Sequence, residues 1–587
     1  MFQTLRSHKR LLTITVLLGG ALLALHAWVG TPYGHSYKHN LPWFDAFRTA
    51  LWSGDLYPRF LPDLWFGFGG ADFYFYGPLP FWFASIVGTI SCPGCNTGQA
   101  FSVAGAWLLI LSGVSFFVFA RSFFDRNWSG IGAMIYMLLP YHYLVDWFAR
   151  QSIGEVAVYV FLPLVALATH RLLTQGRGGR LLAISIAATL LSHLPSALIV
   201  AHVLPVIVVW HALRSEFSRS TFTACLLRFG AWGGLGVAIA AIYWIPAISL
   251  LSSVSPSALY NDYFDAKNWL FLDGRPEPNP SVSILAKWSL ALAVTACLSA
   301  LYLMRRNAEN LALRDWILLP CVLTAFLTTS FSALIWDVWI LDKIQFPWRF
   351  LVITDLSIAL AAIVILQRVF NGARPKIDAI IAAGFSGLML CAAVVSLAPQ
   401  WMGAAIEGQS QNGAFRISGA PEYIPEGVLK NAFVELNATA SDKASDADRY
   451  VIFFDVMEKQ YERAQDAMNS DTESVVLRPL TQGRYQLSVE LTQAGTVRVP
   501  IAYWRFWRAK DADGGAILVE LDLDDGLIKL SLPEGRSEVQ IYLVQTLPEK
   551  IGSAMSLIAL LVFFTSLLRV RRPNMPVNEK PFATSLM

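Results

Sequence analysis

Several polar breaks between apolar runs carry side chains suited to handling a charged leaving group. Arg59 lies in GDLYPRF (54–60), Arg150 and Glu155 in DWFARQSIGEVA, His193 in SHLPSA, and Gln345 and Arg349 in IQFPWRF. An arginine fork matches the oxygens of a phosphate and stabilises charge that develops on it. A carboxylate within reach of a hydroxyl can act as its base, and a neutral imidazole can do the same near pH 7. The stretch 34–83 adds Asp45, Asp55, Asp63 and Asp72 with His35 and His39. Asp55, Asp63 and Asp72 sit in turn-like contexts. Asp45 sits in a helix-like run, NLPWFDAFRTALW, where a regular element would hold it in place. Two readings stay open for it: a catalytic base, with His35 as runner-up, or a surface pair with Arg48. The other candidates also have plain structural roles. Arg150 and Glu155 would pair with one another, His193 would tie a hairpin tip, and Arg349 would reach for the interface.

The elements that position these residues are membrane spans. Of 587 residues, 55% are hydrophobic and 15% charged, where a soluble domain carries about 25% charged. A net charge of +3 gives no ground for nucleic-acid binding. Apolar runs near 11–29, 101–120, 129–147, 155–170, 181–193, 196–213, 229–248, 284–304, 316–333, 351–367, 377–397 and 551–569 predict about twelve spans. The first reads as a retained signal anchor behind Arg6, Lys9 and Arg10. Ser192-His193-Leu194-Pro195 predicts a tight hairpin. The apolar run 78–90 is short and reads as a helix at the outer surface. Arginines of the short loops, among them Arg121, Arg171, Arg214, Arg305 and Arg368, place those loops and both termini in the cytoplasm. The loop 31–100 and the region 401–550 then lie outside.

From 401 to 550 the pattern changes. VVLRPL, YQLSVEL, TVRVPIAYW, AILVELDL, LIKLSL and EVQIYLV alternate with a period of two between turn residues, which predicts an antiparallel β-domain. A helix is expected before it, over 457–468. The expected division is thus 1–400 transmembrane, 401–550 extracytoplasmic β-domain, and 551–587 a last span with its tail. Six cysteines make no disulfide scaffold. Cys92 and Cys95 in CPGC have no second CxxC to complete a metal set, and a loop disulfide fits them on an oxidising side.

With these motifs in order, the chain resembles the GT-C superfamily of polytopic membrane glycosyltransferases. More closely it resembles the bacterial membrane proteins labelled 6-pyruvoyl-tetrahydropterin synthase-related. GDLYPRF, FGFGGADFYFYGPLPFW, Arg150 with Glu155, SHLPSA, YWIPA, IQFPWRFL and YWRFWRAKDADG carry the likeness, which runs along nearly the whole chain. The resemblance implies an outward-facing site, a polyprenyl-phosphate-linked sugar as donor, and an aspartate in the first outer loop. Where that family places its aspartate and a following histidine, this chain has Ser36 and Asn40, with His35 and His39 one step away. The nearest carboxylate is Asp45.

The expected function is transfer of a sugar from a polyprenyl phosphate to an extracytoplasmic glycan, lipid or protein. Asp45 and His35 are the candidate catalytic residues. Arg59, Arg150, Glu155, His193, Gln345 and Arg349 are the candidate binding residues. No metal site is marked, though a divalent cation is compatible with the reaction. The rival expectation is a non-catalytic protein that binds lipid-linked glycan within an envelope polysaccharide assembly or export complex. The expected location is the bacterial inner membrane.

Overall fold

The computed structural model describes residues 19–21, 23–28, 30, 34, 36–214, 218–254, 265–273, 280–305, 311–337, 340–371, 423, 425, 428, 435–436, 446–470, 472–480 and 483–568. His35, the expected span 377–397, the C-terminal tail and most of 11–29 lie outside the described residues.

The helices are α1 Tyr37–Trp52, α2 Leu79–Ser91, α3 Thr97–Ala120, α4 Arg126–Met137, α5 Ile153–Gln175, α6 Gly179–Ser192, α7 Leu194–Arg214, α8 Arg219–Ile239 and α9 Ala241–Ser249. They continue as α10 Pro280–Met304, α11 Leu311–Leu327, α12 Leu351–Asn371, α13 Asp446–Ser470 and α14 Leu547–Leu568. Seven helices among the described residues are long and apolar enough to cross a membrane. The protein is a multi-pass membrane protein with a C-terminal antiparallel sheet domain.

Local chemistry explains where the helices start and stop. The Asn96 side chain accepts the Gln99 N–H at 2.8 Å while the Gln99 side chain accepts the Asn96 N–H at 3.2 Å, a reciprocal cap on α3. Gly176, at φ +62°, closes α5 in the left-handed conformation. The α6–α7 break falls at His193, as the hairpin expected at 192–195 requires.

Three runs depart from expectation: the run 229–248 is divided, with α8 ending at Ile239 and α9 starting at Ala241. The run 129–147 is not one helix: α4 ends at Met137 and a wider π-helical turn runs Pro140–Ala149. Pro140 has no N–H to give the preceding turn and pushes Leu139 into an extended conformation, ψ 142°. The run 316–333 is displaced, with α11 ending at Leu327 and a 3-10 helix following at Ser330–Ile335. The helix expected over 457–468 is longer, Asp446–Ser470. Cys92 and Cys95 form a disulfide.

The strands form two sheets of antiparallel pairs. Taking β1 Ser474–Leu480, β2 Arg484–Leu491, β3 Gly495–Ala502, β4 Trp507–Asp511, β5 Ala516–Ile517, β6 Val519–Leu521, β7 Leu527–Leu532 and β8 Gly535–Leu543, one sheet has the order β1-β2-β8-β4-β5 and the other β3-β7-β6. Their alternating residues Leu487, Val489, Val499, Ile501, Leu530 and Ile541 form a common core. Phe60, Tyr74 and Phe75 of the first loop belong to that same core. Phe60 meets Trp507 edge-on at 5.2 Å, and the Ala502 N–H donates to the Phe68 carbonyl at 2.9 Å. The sheet domain therefore holds the stretch 34–83 in place through shared apolar burial, the largest stabilising term available to it.

Candidate functional site

The π-helical turn before α5 begins the site. It buries Tyr141 and Asp146 completely and delivers Arg150 at its end. Single π turns often mark functional positions, because they place a side chain where an α-helix would not. The Arg150 Nη1 donates to Asp146 Oδ1 and, at 2.7 Å, to Glu155 Oε2. The Tyr141 hydroxyl donates to Glu155 Oε1 at 2.9 Å. Arg349, at the entry to α12, lies 3.8 Å from Glu155 Oε2, an ionic contact too long for a hydrogen bond. Its Nη1 donates to the Ile344 carbonyl at 2.7 Å and to Gln345 Oε1 at 3.2 Å. Two guanidinium groups thus meet two carboxylates at one end of the helix bundle.

The cluster is buried. Glu155 and Asp146 are fully buried, and Arg150 and Arg349 are each 8% exposed. Burial works against the charged form of Arg150, but the Glu155 and Asp146 carboxylates outweigh it and hold the guanidinium above its ordinary range. Trp348 covers that guanidinium, with its ring 4.6 Å away. His193, on the hairpin between α6 and α7, faces both Glu155 and Arg349. Burial, with Arg349 beside it, holds the imidazole down to about 3, so it is neutral at pH 7. Its Nδ1 shares a hydrogen bond with Ser196 Oγ at 2.8 Å.

Backbone strain borders the same place. Gln151 (φ +52°) and Gln345 (φ +65°) are non-glycine residues in the left-handed region, each costing about 1–3 kcal/mol. The first loop closes against the hairpin through Gly77. A Cβ there would stand 2.3 Å from the Ser192 carbonyl oxygen, so only glycine fits. This brings Tyr76 to the edge of the cluster, where it acts electrostatically on Arg349.

The start of α1 also touches the site. The Ser36 N–H donates to the Arg150 carbonyl at 3.0 Å, and the Asn40 side chain donates to the Gln151 carbonyl. Ser36 and Asn40 thus abut the cluster. Asp45 does not. Five residues turn a helix by about 500°, which leaves Asp45 roughly 140° around α1 from the buried Asn40. The Asp45 side chain is 56% exposed, pairs with Arg48 at 2.8 Å and accepts from Thr97 at 2.9 Å. Such a pair contributes about 0.5 kcal/mol or less.

Arg59 stands apart as well. It donates to Glu549 at 2.8 Å and to the Ile242 carbonyl at 2.9 Å, with Tyr57 beneath its guanidinium at 4.1 Å. Glu549 also caps α14, accepting the Thr546 N–H at 2.7 Å. Arg59 therefore clamps the first loop to α9 and the last helix. Arg59→Ala is expected to cost about 3 kcal/mol by leaving Glu549 buried without its cation. Thermal unfolding should show this, and Arg59→Ala/Glu549→Ala should cost less than the sum of its single changes.

Sequence reasoning brought forward Arg150, Glu155, His193, Gln345 and Arg349, which the structure gathers. It passed over Asp146, Tyr141, Tyr76, Tyr159 and Asp355. Asp355 is buried in α12, six residues beyond Arg349, and accepts the Tyr159 hydroxyl at 3.0 Å. An acidic residue inside an apolar run was the available signal for it. Asp146 Oδ2 and His142 Nε2 are buried with no hydrogen-bond partner among the described residues. Among those residues no group of three or more His, Cys, Asp or Glu is placed to hold a metal ion. Between α5, α7, α11 and α12 lies a small apolar cavity of about 20 Å³, lined by Leu162, Val165, Val200, Leu204, Trp316 and Ile353.

No family model and no curated protein matches the chain. Among solved structures it is similar to the arabinofuranosyltransferase AftD from Mycobacteria, at 19% identity and a TM-score of 0.41 over 67% of this chain and 27% of that one. It is also similar to the oligosaccharyltransferase AglB from Archaeoglobus fulgidus, solved in complex with an inhibitory peptide and a dolichol-phosphate. That match has 15% identity and a TM-score of 0.40 over 79% of this chain and 60% of that one. The chain thus spans only part of the length of these proteins, and likeness at this level bears on neither donor nor acceptor.

Proposed function

We propose that the protein is an integral membrane glycosyltransferase of the GT-C type. It moves a sugar from a polyprenyl-phosphate donor to an extracytoplasmic glycan, lipid or protein. The observation that carries this reading is the buried Asp146–Arg150–Glu155–Arg349 cluster, which lies at the ends of α5, α7 and α12 and is abutted by the first loop. Charged groups at a membrane boundary cost free energy unless they are paired or used.

In the reaction the acceptor oxygen attacks the anomeric carbon, and the bond from that carbon to the phosphate oxygen breaks. The bonding electrons leave with the lipid phosphate, and the acceptor's proton passes to a carboxylate. Arg349 offers the charge for the departing phosphate, since Arg150 is committed to two carboxylates. Asp146 has acceptor capacity left at Oδ2, whereas both oxygens of Glu155 are bonded. The geometry favours Asp146 over Asp45 as the proton acceptor. In liposomes loaded with a polyprenyl-phosphate-linked sugar, Asp146→Asn is expected to slow release of polyprenyl phosphate by about 100-fold or more, while Asp45→Asn changes it little. The opposite ranking would return the role to the first loop.

The rival, a non-catalytic protein that binds lipid-linked glycan, is favoured by one observation: the two arginines already face two carboxylates. Wild-type protein that binds the donor without ever consuming it would establish that reading. Both readings put the sheet domain outside. A cysteine placed at Leu523, 87% exposed, should react with an impermeant maleimide applied from outside, and one placed at Asn574 should not. Labelling in the reverse pattern contradicts the orientation.

A further inference from the structure

The chain between α11 and α12 carries a second feature, outside the cluster. The 3-10 helix Ser330–Ile335 is fixed from two sides. Trp336 is 1% exposed, and its Nε1 donates to the Leu327 carbonyl at 3.0 Å and to Ser332 Oγ at 3.1 Å. The Phe271 N–H donates to the Thr328 carbonyl at 2.8 Å, and the Ser330 N–H donates to the Phe271 carbonyl at 2.9 Å. Side chains three apart eclipse on a 3-10 helix, so Phe331 and Leu334 share one face. They are 79% and 84% exposed, and Leu272, beside the bridged Phe271, is 74% exposed. A rigid base under large apolar side chains that point away from the protein marks an interaction surface.

The surroundings identify its occupant. The patch follows directly on α11, whose Val322 and Phe326 are themselves exposed at 53% and 41% in its largely apolar stretch 316–327. It precedes the apolar run of α12 by fewer than twenty residues. Lysines stand around it: Lys267 pairs with Asp337 at 2.5 Å, Lys287 lies 5.8 Å from the Phe271 ring centroid, and Lys343 pairs with Asp342 at 2.6 Å. Apolar side chains that continue an apolar helix and carry a fringe of paired lysines and aspartates match the boundary between acyl chains and headgroups. Leu523, 87% exposed, lies between β6 and β7 of the sheet domain rather than beside an apolar helix.

We propose that Phe331, Leu334 and Leu272 form a wedge seated among the phospholipid acyl chains of the leaflet on the cluster's side. The wedge lies on the same connection between α11 and α12 as Leu341–Ile344, outside the Arg349 cluster. The partner is lipid, not protein.

The test places a benzophenone amino acid at Phe331, at Leu334 or at Leu523, one at a time, in the full chain reconstituted in phosphatidylcholine–phosphatidylglycerol liposomes. Irradiation followed by mass spectrometry reads the adducts. Phospholipid adducts are expected at 331 and at 334 and not at 523. Adducts to a peptide of this chain or of a second copy, an absence of lipid at both wedge positions, or equal lipid labelling at 523 would each overturn the proposal. All three side chains are exposed, so folding is not at risk. Labelling needs neither donor nor turnover, which separates its outcome from that of the transferase reading.

Discussion

Arg150→Ala is expected to destabilise the protein by about 3–5 kcal/mol. One Nη1 bridges Asp146 and Glu155, and among the described residues neither carboxylate has another cation at hydrogen-bonding distance. Removing the guanidinium leaves two buried negative charges side by side, where they must repel or take up protons. Arg150→Lys keeps the charge but supplies a point donor in place of the fork, so it should recover only part of the loss. Arg150→Met combined with Asp146→Leu removes the cation and one of its carboxylates. It should therefore be more stable than Arg150→Ala alone, because an apolar replacement avoids the stranded charge. Thermal unfolding in detergent measures all three. An Arg150→Ala protein with unchanged unfolding temperature would mean that the bridge carries no load.

Arg349→Lys is expected to act on function more than on fold. The bonds to the Ile344 carbonyl and Gln345 Oε1 brace the turn at Gln345, and an ammonium group can keep one of them. The planar fork that matches a phosphate is lost. The loss of one preorganised donor to a developing oxyanion costs about 100- to 1,000-fold in turnover, and that is the fall expected for donor consumption. The unfolding temperature should move little. A large thermal loss with donor affinity unchanged would instead make Arg349 a brace for the strained turn. Gln345→Gly separates the two roles, since glycine takes φ +65° without strain. It removes the Oε1 contact and should weaken donor binding without lowering stability.

The parts of the fold that were legible in the sequence are those with local periodicity. The strands of the sheet domain could be read because their apolar residues alternate, and the break at His193 because Pro195 follows it. The grouping of Arg150, Glu155, His193, Gln345 and Arg349 was visible because polar residues stand out between apolar runs. The π turn was not, since Pro140 interrupts a run whose hydrophobicity alone suggests a continuous span. Nor was the partner of Arg59, which lies on the last helix and is joined by an ion pair that no local pattern encodes. Asp45 looked well placed because it lies on a helix near the end of the first apolar run. Which face of α1 would be buried depends on the turn at Arg150 and Gln151, a contact between distant segments. The core shared by Phe60, Tyr74, Phe75 and the sheets was hidden for the same reason.

The central claim is that Arg349 and its partners form a phosphate site for a lipid-linked sugar. A density map of the full chain in nanodiscs with a polyprenyl-phosphate-linked sugar bound tests it most directly. The account predicts the phosphate within about 3 Å of the Arg349 guanidinium. A phosphate seated against Arg59 or elsewhere, with Arg349 still held by Ile344, Gln345 and Glu155, would contradict it.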